Sequence, residues 1–149
     1  MPVSQLTDHT GYWLRMVSNA VSQGFARKVA DKGVTVAEWC FMRALYDDNA
    51  VAPSALADRM GMTRGAISKL ADRMEAKGLV TRAESETGGR GQVLSLTPSG
   101  RALVPVLAGL ADANDAENFS VLTPSEHETL AQILKAFVER RRLTQPPVD

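Results

Sequence analysis

Apolar residues recur at helical spacing over residues 12–30, where Trp13, Met16, Val17, Ala20, Val21 and Phe25 share a face. A second run, from Val36 to Leu45, has almost no polar side, the pattern of a helix enclosed between two layers. Thr35 is a suitable N-cap for it, and Asp47-Asp48-Asn49 breaks it after Tyr46. Two short amphipathic helices follow. Pro53 stands near the first turn of one, Leu56 and Met60 lie on its inner face, and Gly61 is a C-cap or turn glycine. Thr63 caps the next, whose buried stripe is Ala66, Ile67, Leu70, Ala71 and Met74, and Gly78 ends it.

The period then changes. Leu79-Val80-Thr81 and Val93-Leu94-Ser95-Leu96 read as two strands, joined by a Gly-containing loop from Glu84 to Gly91. Thr97-Pro98 opens a fifth helix with stripe residues Leu103, Val106, Leu107 and Leu110, and Pro105 is expected to bend it or delay its start. Thr123-Pro124-Ser125-Glu126 opens a sixth, with Glu at the capping-box position and Leu130, Ile133, Leu134, Phe137 and Val138 as its stripe. The tail from Thr144 is expected to fray. The chain is therefore mainly α, with six helices and a small β-hairpin, in one domain of 149 residues. The apolar stripes of helices one, five and six are longer than a compact monomer needs. A dimerisation layer built from 1–32 and 101–145 would bury them.

Composition excludes several classes. No run of eighteen apolar residues spans a membrane, no signal peptide is visible, and a single cysteine, Cys40, cannot staple the chain. A cytoplasmic location follows as the expectation. No catalytic motif is present, so no enzymatic activity and no cofactor are expected. His9 and His127 lack partners at metal-ligand spacing, so no metal site is expected either. Net charge is zero, yet it is uneven. Residues 59–101 carry eight Lys and Arg against four Asp and Glu, and both flanks are acidic. The positive excess coincides with the paired short helices and hairpin, which is the electrostatic footprint of a polyanion-binding unit.

Helix, turn, helix and hairpin in that order define a winged helix-turn-helix over 35–100. The string LADRMGMTRGAISKLADRMEAKGLVTR resembles the helix-turn-helix and first wing strand of the MarR family of bacterial transcription regulators, and LSLTPSGR resembles its last wing strand and the start of helix five. The resemblance implies a homodimer on a pseudo-palindromic duplex DNA operator, with one helix of each subunit in the major groove and one wing in the minor groove. It also implies repression of nearby genes that a small, often aromatic ligand relieves, or sensing of oxidants through a cysteine. Where the family's wing commonly has Asp-x-Arg, this chain has Gly88-Gly89-Arg90; loss of the aspartate predicts a wing that is ordered only on binding.

Thr63, Arg64, Gly65, Ala66, Ser68 and Lys69 begin the recognition helix. Thr63 is first an N-cap, and the free amides beside it suit a phosphate. Arg64 would reach guanine edges or a phosphate, and Ser68 and Lys69 face the same way. Gly65 and Ala66 either let the helix sit deep or offer only methyl contact. Arg73 and Lys77 complement the helix dipole, and Arg73 is also a phosphate candidate. Arg90 is the minor-groove candidate. Arg101 is a backbone contact or an internal ion pair. Trp13, Met16, Trp39 and Met42, with His9 and Arg15, are either an effector cleft or ordinary core packing. Cys40 is either a small buried hydrophobe or a redox sensor. The competing function is a winged-helix module that binds protein.

Overall fold

A computed structural model of the chain describes residues 1–85 and 91–149. Six helices follow one another as expected: α1 (Thr10–Ala30), α2 (Val36–Tyr46), α3 (Pro53–Met60), α4 (Arg64–Ala76), α5 (Pro98–Phe119) and α6 (Pro124–Arg140). Strands β1 (Val80–Glu84) and β2 (Gln92–Leu96) lie between α4 and α5. Threonine sets the start of four helices. The side chains of Thr35, Thr63, Thr97 and Thr123 accept from the amides of Glu38, Ala66, Gly100 and Glu126 at 3.0–3.2 Å. Each such cap stabilises its helix by about 1 kcal/mol. Gly61, at φ +62°, ends α3 in the left-handed region that other residues avoid.

The antiparallel hairpin runs from Val80 paired with Leu96 to Glu84 paired with Gln92, so β1 extends past the expected Leu79–Thr81. Arg82 explains the extension. Its side chain reaches back to Asp72 on α4 at 2.6 Å and to the Ser68 carbonyl at 3.1 Å, anchoring a strand segment that apolar alternation alone does not mark. Val51 adds an isolated bridge to Leu94. The α2 helix forms the centre, with Phe41, Met42 and Leu45 buried among α3, α4, α5 and β2, as its apolar sequence predicts.

Two expectations are corrected. Of the two effects expected of Pro105, a delayed start is the one overturned: α5 starts at Pro98 and continues past it. Pro105 and Arg101 are both exposed, so water can meet the Arg101 carbonyl that a proline four residues on leaves without a donor. The tail from Thr144 does not fray. Gln145 is hydrogen-bonded to the Gly61 carbonyl at 2.8 Å, and Val148 packs on the core. By contrast α6 has no buried residue, and Ile133, Leu134, Phe137 and Val138 stand exposed along it. On α1, Trp13, Leu14, Met16 and Val17 are each about half exposed. No described helix is long and apolar enough to cross a membrane.

Candidate nucleic-acid interface

The α4 helix turns Ile67, Leu70, Ala71 and Met74 into the core. A 100° step per residue then sends Gly65, Ser68, Lys69 and Asp72 outward, with Arg64 at the exposed N-terminus. Thr63 is the predicted N-cap, its hydroxyl 3.1 Å from the Ala66 amide. Ala66 is half-buried, so of the expected contact residues it is the least available to a groove. The Gly88-Gly89-Arg90 motif lies outside the described residues.

The local positive charge divides into cations that hold the lobe together and cations left free. Arg59 binds Asp48 at 2.7 Å and the Ala44 carbonyl at 3.1 Å. Arg82 is tied to Asp72. Arg101 donates to the carbonyls of Tyr46 and Asp48 and lies over the Tyr46 ring, so its role is internal, through carbonyls and not through an ion pair. Lys77 donates to Glu38 and to the Gly33 carbonyl, both at 2.8 Å, and Arg73 stands 3.8 Å from the other oxygen of Glu38. Among the described residues of 59–101, Arg64 and Lys69 are the cations with no hydrogen bond or ion pair within the chain. Both project from the first two turns of α4.

Glu38 is the residue that the sequence reading missed. It is fully buried in α2, completes the Thr35 capping box, and receives Lys77 from the end of α4. Burial pushes its carboxyl up. The hydrogen bonds from Lys77 and the Thr35 amide, and the charges of Lys77 and Arg73, outweigh burial and leave it below the usual carboxylate value. The Thr-x-x-Glu spacing of Thr35 and Glu38 was the available signal. Its consequence is mechanical: one carboxylate ties the start of α2 to the end of α4.

The four proposed effector residues are not brought together. Trp39 meets Phe25 edge-to-face at 6.5 Å, twelve residues beyond Trp13 on α1, or roughly 18 Å along the axis. Trp39 lines a cavity of about 290 Å³ among α1, α2 and α5, with Val21, Phe25, Val36 and Asn114. Trp13 lines a neighbouring apolar hollow of about 480 Å³ with Val17, Phe119 and Leu134, which meets the first only at Val21 and Ser22. Met42 is buried in the core, and Met16, His9 and Arg15 line neither space. Cys40 is half-buried at the edge of the first cavity, where burial, and secondarily the Asp149 carboxylate, push its thiol up. A protonated thiol is a poor redox sensor.

A three-helix lobe with a β-hairpin following an outward-facing second helix is a winged helix-turn-helix. The family model that matches residues 32–91 is that of the MarR family. A transcriptional regulatory protein for the hcr operon of Thauera aromatica is 33% identical over 129 residues, covering 84% of this chain and 76% of that protein. The chain belongs to the MarR family of transcription regulators. Solved structures share the fold. A mutant MarR from Escherichia coli complexed with operator DNA superposes with TM-score 0.77 at 22% identity, over 91% of this chain and 99% of that one. Bordetella bronchiseptica BpsR, whose DNA binding is regulated by 6-hydroxynicotinic acid, gives 0.76 at 21% identity, over 91% and 97%.

Proposed function

We propose that the chain is a homodimeric, cytoplasmic, non-enzymatic repressor that reads a pseudo-palindromic operator through α4, and that a small, mostly apolar ligand in the cavity beside Trp39 relieves it. The observation that carries this reading is the pair of free cations on α4. Six other basic side chains surround the motif; of the five that are described, all are engaged within the lobe, whereas Arg64 and Lys69 are left to face a partner. Phosphate neutralisation supplies affinity and base edges supply specificity. Operator duplex selected from random sequence tests it. Arg64→Ala should weaken the selected site about ten- to a hundredfold and flatten preference at one base position. Lys69→Ala should weaken all sequences alike and reduce the salt slope by about one. If neither variant changes binding of a duplex that the wild type prefers, α4 is not the reading element.

The dimer reading rests on α6, whose apolar stripe is uncovered, and on the hollow beside Trp13. Monomeric proteins rarely leave such a contiguous surface in water, and a two-fold pairing of α1 and α6 with their copies would cover it. Phe137→Asp should shift the protein from dimer to monomer in sedimentation at micromolar concentration, and should weaken operator binding by at least a hundredfold through loss of the second half-site. A wild-type protein that sediments as a monomer at that concentration would exclude this arrangement. The Trp39 cavity supports the ligand reading through its size and mainly apolar wall, with Ser22, Asn114, Asp115 and Asp149 as its polar groups.

A further inference from the structure

After α6 the chain turns back across the DNA-binding lobe. Gln145 donates its side-chain amide to the carbonyl of Gly61, the residue that joins α3 to α4, and a Cβ added at Gly61 would stand 2.9 Å from that amide nitrogen. Two residues further on, the Pro147 carbonyl lies 3.8 Å from the Cys40 sulfur and accepts its S–H. Val148 then packs on the core. On one side of this crossing is the cavity of about 290 Å³ among α1, α2 and α5. On the other is a recess of about 560 Å³ reaching Arg43, Asp48 and Met60. Trp39, Cys40 and Pro147 line both spaces, so the segment is the partition between them. Pro146-Pro147 restricts the unfolded choices of this stretch, which lowers the entropy lost when it docks.

We propose that residues 145–149 are a strap that closes the Trp39 cavity and holds the turn between α3 and α4, so that a ligand entering the cavity lifts the strap and frees that turn. The ligand step rests on the effector reading above; the closure and the hold on Gly61 do not. The strap acts in favour of operator binding. A turn held in one conformation presents α4 already ordered, and an ordered reading element loses less entropy on association. Displacement of the strap removes that advantage, which gives ligand and operator opposed effects through one mobile element.

Cys40 is the single cysteine of the sequence and reports the position of the strap directly. Val148→Asp should unseat the strap without touching a catalytic or DNA-facing group. Iodoacetamide should then alkylate Cys40 at least fivefold faster than in the wild type, and amide exchange at residues 61–64 should accelerate by a similar factor. Gln145→Ala, a surface change that leaves folding intact, should accelerate exchange at the same amides and weaken selected-operator binding three- to tenfold. Equal alkylation rates in wild type and Val148→Asp would overturn the closure. Faster alkylation with unchanged exchange at 61–64 would overturn the link to the turn. Failure of the wild type to bind any duplex would remove the regulator reading alone, because alkylation and exchange judge the strap without DNA.

Discussion

Lys77→Met lowers the stability of the fold by about 2–3 kcal/mol near pH 7, and Glu38→Gln added to it restores most of the loss. Removing one partner of a buried pair usually destabilises by about 3–5 kcal/mol, because the other charge is stranded. The loss here falls at or below the bottom of that range. Lys77 is 39% exposed, and Arg73, at 3.8 Å, can close on the carboxylate. The pH dependence separates this cause from lost packing. In the wild type the folded-state pKa of Glu38 is depressed. Its contribution is therefore present above the ordinary value of 4.5 and is lost as pH falls through the folded value. Without Lys77, burial is offset only by the Thr35 amide and the Arg73 charge, so less of that contribution remains above 4.5. The deficit of the variant should thus be larger at pH 7 than at pH 4. Urea-unfolding midpoints at the two pH values measure it; an equal deficit at both would mean that Lys77 acts through its aliphatic stem.

Gly100→Ala is expected to be at least as damaging, at about 3 kcal/mol. An added Cβ would overlap the backbone carbonyl oxygen of Leu79. That oxygen already accepts the Thr97 amide at 3.0 Å, and the Leu79 amide is bonded to the Met74 carbonyl at 3.0 Å, so neither side can yield as a side-chain tip would. Overpacking typically destabilises by about 1–3 kcal/mol, and backbone against backbone falls at the upper end. The distortion would enter at the root of β1, so hairpin placement should suffer with stability. Gly109→Ala is the internal control. It lies in the same helix with open space around its Cβ position, and helix propensity predicts a gain of about 0.5–1 kcal/mol. Thermal melts of the two variants should move in opposite directions; a Gly100→Ala protein that melts with the wild type would show that α5 can shift freely against the hairpin.

Most of the fold is legible in the sequence because its boundaries are local. Thr35, Thr63, Thr97 and Thr123 each fix a helix start through an amide three residues away, and Gly61 and Gly78 mark ends by a left-handed backbone. The outward half of the interface is legible for the same reason, since burying Ile67 and Leu70 determines where Lys69 points. The long-range part is not. Arg73 and Lys77 look like groove or dipole residues from their own helix, and only the folded chain brings Glu38, 39 positions before Lys77, into reach. Trp13 and Trp39 look like one cleft because both are large and apolar. The length of α1, 21 residues, separates them. The tail is polar and Pro-rich at sequence level, and its docking depends on a carbonyl 84 positions away.

The division of labour on α4 has an evolutionary consequence. The helix is held by the Thr63 oxygen at its start, by Ile67, Leu70, Ala71 and Met74 along its length, and by Lys77 on Glu38 just beyond its end. Among the described residues, the side chains at 64, 65, 68 and 69 have no packing or hydrogen-bonding duty. Substitution at those four positions is thermodynamically near neutral for the folded protein. A duplicated copy of this chain can therefore acquire a new operator by single exchanges, each viable on its own, while the cavity beside Trp39 stays unchanged. Divergence in what is bound and divergence in what is sensed are separable lineages of change in a protein built this way.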